Sequence, residues 1–180
     1  MIILIGPSAS GKTEIAKLLI RYYGFRKFVT TTTRAMRPGE INNIDYHFIS
    51  VDDFKKDIED NSFIEYVTYN SNYYGTYKSE IDDDKVLIVE PKGLSSFLAL
   101  NDPRIISFYI NSPKEVRKQR MIERQDNPED IKKRLDFDDN YFEEAKSKVH
   151  QIIENDGEQN LGEISTEIYK IYVEKLKTTE

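Results

Sequence analysis

Apolar residues recur along this chain with two different periods, and the alternation between them predicts its elements. Residues 2–5 (Ile-Ile-Leu-Ile) are continuously apolar; after the loop GPSASGKT come Ile15, Leu18, Leu19, Tyr22 and Tyr23 at three- and four-residue steps. That order predicts strand, loop, helix. Residues 28–49 turn extended and polar, with threonine at positions 30–33, a turn at Pro38 and Gly39, and alternating Tyr46 and Phe48. Ser50 and Asp53 stand at capping-box spacing ahead of Phe54 and Ile58, which predicts a short helix. Residues 63–77 return to extended structure, rich in tyrosine and interrupted by Gly75.

The second half repeats the alternation. Residues 85–90 (KVLIVE) form an apolar run ending in an acid, the pattern of a central parallel strand whose C-terminal end meets a site. Residues 105–110 and 151–153 predict two more strands. Between these lie two helix starts, Ser112-Pro113-Lys114-Glu115 and Asn127-Pro128-Glu129-Asp130, each with a capping residue and a proline at the first helical position. A last helix covers residues 161–176, with Ile164, Ile168, Ile171 and Tyr172 on one face, and the polar tail beyond it is expected to fray. Strands alternating with helices predict an α/β layered sheet, without internal repeats or a low-complexity linker.

Composition narrows the chemistry. With 180 residues the chain suits one domain, and with no cysteine it has no thiol nucleophile, disulfide or Cys-ligated metal. His47 and His150 are too far apart for a tight metal-ligand motif. Apolar runs fall far short of the ~20 residues of a membrane span, and no basic-then-apolar leader precedes them. The expectation is a soluble, cytoplasmic protein with no membrane partner. A net charge of -6, from 26 basic and 32 acidic residues, argues against general binding to nucleic acid but leaves room for a local arginine cluster that grips a small anion.

The loop Gly6-Pro7-Ser8-Ala9-Ser10-Gly11-Lys12-Thr13 fits GxxxxGK[ST] and sits where the motif requires, after an apolar strand and before a helix. Its glycines let backbone N–H groups wrap a polyphosphate at a helix N-terminus; Lys12 can reach the β/γ oxygens and Thr13 can ligate Mg²⁺. The loop alone fits a GTPase, a motor fragment or a small-molecule kinase. Glu90-Pro91-Lys92-Gly93 has the outline of a GTPase DxxG, but the chain has no NKxD for guanine, which disfavours that class. A kinase needs a second anion site for its acceptor. Arg34 and Arg37, three apart ahead of the Pro-Gly turn, with Tyr46 following, can clamp a phosphate dianion with two planar guanidiniums and a phenol.

These motifs resemble those of guanylate kinases, P-loop enzymes that transfer phosphate from ATP to GMP. The resemblance rests on GPSASGKT, TTRAMRPGEINNIDYHF, FIEYVTYNSNYYGTYKSEI and the later helices with Arg124 and Arg134, and covers nearly the whole chain. It implies a P-loop NTPase-type parallel sheet flanked by helices (residues 1–29, 84–116 and 149–180), a small mixed β subdomain for the nucleoside monophosphate (30–83) and a helical lid (117–148). It implies that Arg34, Arg37, Tyr46 and Tyr74 hold the GMP phosphate, that Thr30, Glu65 and Thr76 address the guanine, and that Lys12, Arg34, Arg124 and Arg134 serve catalysis. Arg120 and Asn155 match positions on the ATP side. Chemistry supports the base assignment independently, since guanine offers N1–H and an amino group to a carboxylate whereas adenine offers an acceptor at N1.

Two positions depart from the family pattern. Glu90 stands where the family has aspartate; its carboxylate can accept from the guanine amino group, hold an Mg²⁺-associated water or shift base preference. The lid segment at residues 125–128 lacks the usual glycine and is one residue shorter. Arg117, Arg120 and Arg124 align at i, i+3 and i+7 along one helix face. The implied reaction is Mg²⁺-dependent phosphorylation of GMP and dGMP by ATP, in purine nucleotide metabolism, by a monomer or homodimer whose partners are small nucleotides. Two alternatives stay open, a kinase for another nucleoside monophosphate and a non-catalytic interaction module.

Overall fold

The computed structural model describes residues 1–69 and 71–178. Its centre is β1 (Ile2–Ile5), all four residues of which are fully buried. Alternate side chains leave opposite faces of a strand, so Ile2 and Leu4 enter one core and Ile3 and Ile5 the other. The first core packs against α1 (Lys12–Tyr23) and α7 (Leu161–Lys177), through Ile15, Leu19, Ile164, Ile168 and Tyr172. The second packs against α3 (Pro91–Leu98) through Leu94 and Phe97, and takes in Phe142 and Ala145 beside and within the short α6 (Glu143–Lys146).

Four further strands complete this sheet: β2 (Arg26–Lys27), β7 (Lys85–Ile88), β8 (Ile106–Asn111) and β9 (Gln151–Glu154). Their order is β2-β7-β1-β8-β9 and every pairing is parallel. The chain leaves β1 for β2 and β7 on one side of it and crosses to β8 and β9 on the other, so a crevice opens beyond its C-terminal end, where ligands of such sheets bind. The GPSASGKT loop occupies that crevice.

A second, mixed sheet is inserted between β2 and β7. Its order is β4-β3-β6-β5, from β3 (Thr31–Thr32), β4 (His47–Phe48), β5 (Phe63–Tyr69) and β6 (Asn72–Tyr77), with α2 (Val51–Glu59) packed on it. Ser50 caps α2 by accepting from the Asp53 N–H at 3.0 Å, as the capping-box spacing predicts. This sheet's core is aromatic. The Phe54 ring stacks on Phe63 at 4.4 Å and on Tyr73 at 5.2 Å, and Phe63 stacks on Tyr77 at 4.6 Å. Gly75 is what lets the stack close, because a Cβ there would stand 2.8 Å from both phenylalanine rings.

Helices α4 (Lys114–Glu123) and α5 (Pro128–Tyr141) form a third layer with a small core of Met121, Ile131 and Leu135 on which Ala9 of the loop packs. Asn127 caps α5 and Pro128 is its first residue, as expected. Ser112 does not cap α4: Pro113 takes the cap position without a side-chain bond, and the Ser112 hydroxyl faces Arg120 instead. Sequence reasoning passed over α3, weighing Glu90-Pro91-Lys92-Gly93 only against the GTPase DxxG outline; the proline starts the helix and the glycine lies inside it, buried. Among the described residues, no helix is long and apolar enough to cross a membrane.

Candidate active site

The phosphate-binding loop is held in shape by its backbone and by two distant residues. Gly6 has φ +147° and a Cβ there would stand 2.5 Å from the Ile110 carbonyl oxygen, so no other residue fits. Gly11, at φ +100°, allows Asn155 to approach to a distance at which a Cβ would collide with its amide. Asn155, fully buried, donates from Nδ2 to Ser10 O at 2.8 Å, and Arg120 donates to Asn155 Oδ1 at 2.9 Å and to Ala9 O at 3.2 Å. Lys12 Nζ folds back over the loop, donating to Gly6 O at 2.6 Å and Pro7 O at 2.7 Å. Burial lowers the Lys12 pKa to about 8, against the upward pull of Glu90 and Asp138. An ammonium desolvated in this way gains most from an arriving phosphate.

Ala9, Gly11, Lys12, Thr13, Glu14, Arg120 and Arg124 enclose a cavity of about 250 Å³ at the N-terminus of α1, where backbone N–H groups and the helix dipole favour an anion. The aligned arginine stripe differs in depth from residue to residue. Arg117 is buried and ion-paired to Asp139 at 2.5 Å; Arg120 grips the loop; Arg124, at the C-terminus of α4, is exposed and pairs with Asp126. Arg134 does not line the cavity, but it meets Arg124 through the same carboxylate, at 3.2 Å from Asp126 Oδ2.

On the mixed sheet, Arg34 makes a forked pair with Glu40, Nη2 to Oε1 at 2.7 Å and Nη1 to Oε2 at 3.1 Å. Glu40 Oε2 also accepts the Arg37 backbone N–H at 2.7 Å, closing the Pro38-Gly39 turn onto the arginine. This hydrogen-bonded pairing holds the Glu40 carboxyl below the usual carboxylate range. The Arg34 guanidinium lies 5.6 Å from the Tyr46 ring centroid, and the Tyr46 and Tyr74 rings are 6.3 Å apart, so these three converge. The Arg37 side chain is exposed. Glu65 and Thr76 are directly opposed in the β5–β6 register, and Thr30 precedes β3, its carbonyl accepting from the His47 N–H at 2.9 Å.

One helix joins the two halves. Glu90 precedes α3 at its N-terminus; its carboxyl is raised by desolvation in the crevice, with Lys12 pulling the other way. Two turns along α3, the Ser96 hydroxyl donates to Glu65 Oε2 at 3.0 Å. Buried Gly93 lies between them, with room for a Cβ only at 3.3 Å from Glu65 Oε1. Sequence reasoning placed Arg117 on the arginine face of α4 but missed Ser96, Glu40, Asp126 and Asp138 as parts of this region. Glu40 alone carried a signal, six residues beyond Arg34 across a turn; the others are partners that only folding brings together.

A glycine-cornered loop beyond the central strand of a parallel sheet, its lysine turned back over it, a second sheet flanked by Arg34 forked onto Glu40, and a helical layer carrying four more arginines: this arrangement fits a P-loop kinase for small phosphorylated acceptors. The family model described as guanylate kinase matches residues 1–171. The guanylate kinase of Sulfurimonas denitrificans is 33% identical over 165 residues, covering 87% of this chain and 77% of that one. That of Chlamydia trachomatis is 30% identical over 166 residues, covering 87% and 80%. In fold, the chain is similar to the crystal structure of guanylate kinase from Anaplasma phagocytophilum, with a TM-score of 0.63 over 95% of this chain and 82% of that one at 21% identity. The chain belongs to the guanylate kinase family.

Proposed function

We propose that this protein transfers the γ-phosphoryl group of ATP to GMP, and to dGMP, giving ADP and GDP. The observation that carries the reading is the bridge formed by α3, with Glu90 at its N-terminus within electrostatic reach of Lys12 and Ser96 hydrogen-bonded to Glu65 further along. One rigid element thereby links a triphosphate loop to a carboxylate suited to the donor edge of guanine. In this reading residues 1–29, 84–116 and 149–180 form the core, 30–83 hold the acceptor and 117–148 form the lid.

Phosphoryl transfer asks little covalent chemistry of a protein, so alignment and charge neutralisation carry the catalysis. The loop backbone of residues 6–13 holds the donor phosphates, with Lys12 moving from the Gly6 and Pro7 carbonyls onto phosphate oxygens. Arg120 and Asn155 act on the ATP side. Arg34, Arg37, Tyr46 and Tyr74 hold the acceptor phosphate in line, and Thr30, Glu65 and Thr76 face its base. Arg124 and Arg134, already converging on Asp126, exchange that carboxylate for the migrating phosphoryl group, which has similar geometry and more charge.

The Thr13 hydroxyl, exposed in the first turn of α1, and the carboxylate of Glu90 are hard oxygen donors that suit Mg²⁺, a cation that keeps most of its waters and needs few protein ligands. When bound, Mg²⁺ supplies neutralisation of the donor's phosphate charge.

The test is ADP release, with Mg²⁺ and ATP, over a panel of GMP, dGMP, AMP, CMP and UMP. GMP and dGMP are expected to respond and the others to lag by roughly 10⁴-fold, the discrimination available to a site whose buried polar groups a wrong base leaves unpaired. No response to GMP overturns the reading; Mg²⁺-dependent ATP binding with no acceptor at all points to a non-catalytic module.

A further inference from the structure

A buried carboxylate stands at the mouth of the phosphate loop. Asp138, on α5, is 4% exposed, and its Oδ2 accepts the Ser8 backbone N–H at 2.6 Å. The same oxygen lies 3.8 Å from Arg117 Nη1, a buried guanidinium nitrogen with no hydrogen-bond partner. The rest of Arg117 is tied down, Nε donating to Ser112 O at 3.1 Å and Nη2 to Asp139 at 2.5 Å. Asp138 therefore sits between two donors and satisfies one of them.

Both halves of this arrangement need explaining. Backbone N–H groups of such a loop ordinarily serve a phosphate, yet this one is committed to a side-chain carboxylate. A buried guanidinium N–H left without an acceptor is costly, and the gap to Asp138 exceeds a normal charge-assisted bond by about 1 Å. One small movement of α5 resolves both. If a phosphate oxygen takes the Ser8 N–H, the displaced carboxylate reaches Arg117 Nη1, and no donor is left unpaired.

We propose that Asp138 is a positioning residue for the donor nucleotide: it holds the Ser8 amide while the loop is empty, yields it to the incoming triphosphate, and moves onto Arg117. The exchange couples loop occupancy to α5, the helix that also carries Arg134. This inference rests on the reading of the loop as an ATP site.

The test compares wild type with Asp138→Asn, which keeps the volume and an acceptor for Ser8 but has no charge to expel from beside a phosphate. ATP is expected to bind the variant about 5-fold more tightly by calorimetry, the scale of one partly screened charge contact. The KM for GMP should stay within about 2-fold, and kcat should fall because the loaded lid loses its Arg117 anchor. The Ser8 amide proton resonance should differ between the two proteins without ligand and coincide once both are saturated with a non-hydrolysable ATP analogue. A folded variant with unchanged or weaker ATP affinity overturns the proposal, as does a Ser8 difference that persists in the saturated complexes. Should the variant not fold, the wild type still decides: its Arg117 Nη1 protons must gain protection from exchange on saturation, and unchanged protection overturns the exchange. Failure of the wild type to bind ATP overturns instead the reading beneath it.

Discussion

The two phosphate sites proposed for this protein are built on opposite plans. The donor loop hangs from β1, whose residues are wholly buried between two cores, and its shape is set by backbone: two glycines at positive φ, plus Asn155 and Arg120 bonded to its carbonyls. The proposed acceptor clamp sits on two-residue strands over a thin aromatic stack, beside a loop that exposes Met36, Ile41 and Ile44, and its shape is set by side-chain pairs such as Arg34 with Glu40. The difference follows from what each must recognise. A triphosphate tail offers a row of oxygens that fixed N–H groups along one loop can serve, whereas a single phosphate dianion is gripped by guanidiniums and phenols brought from separate segments.

The comparison can be broken most forcefully at Lys12. Lys12→Ala should lower kcat by about 10³-fold or more with the thermal transition retained, since it removes a positioned charge from the phosphates without touching either core. Near-normal turnover in a steady-state assay would remove the donor loop from the chemistry. Glu65→Gln should act on the other side alone: about 10²-fold in kcat/KM for GMP, narrowed discrimination against AMP, and an unaltered Kd for ATP. A matching loss of ATP affinity would mean that the halves are not separate.

Gly75→Ala sharpens the contrast in stability. Its added methyl meets two packed phenylalanine rings at 2.8 Å, and the expected cost is about 1–3 kcal/mol, read as a lower Tm, with ATP binding preserved at temperatures where the protein stays folded. The smallest effect is expected at His150, beside the edge of the main sheet. Its Nδ1 accepts from the Ser107 N–H at 3.1 Å, and burial, then Lys175, lowers its pKa from 6.5. Below pH 6.5 the unfolded chain therefore binds more protons than the folded one, and this contribution to stability is lost as pH falls through the lowered value. His150→Gln should flatten the pH dependence of Tm on the acid side of 6.5; an unchanged slope would show that the ring titrates as in the unfolded chain.

Much of the donor side was legible in the sequence because its determinants are local. A glycine-lysine motif between an apolar strand and a helical period is contiguous, and each residue's contribution depends on its neighbours in the chain. The extended character of residues 63–77 and the capped starts of α2 and α5 were legible for the same reason, whereas the pairing of β5 with β6 within that stretch was not. Helix α3 was not, because Pro91 and Gly93 carry turn signals that only its packing beside Glu65 and Val89 overrides. Nor were the depths of Arg117, Arg120 and Arg124, which share one face of α4 yet range from buried to exposed, because periodicity gives direction and not distance from the loop.

By itself, then, the amino-acid order determined the alternation of strands and helices, the phosphate loop, and the residue types able to clamp a second phosphate. Tertiary structure decided which polar groups meet. Ser8 and Asp138 are 130 positions apart, Ser10 and Asn155 are 145 apart, and Glu65 and Ser96 are 31 apart. A buried polar group must find a partner, and which one it finds depends on how the layers pack, something no local pattern of residues encodes.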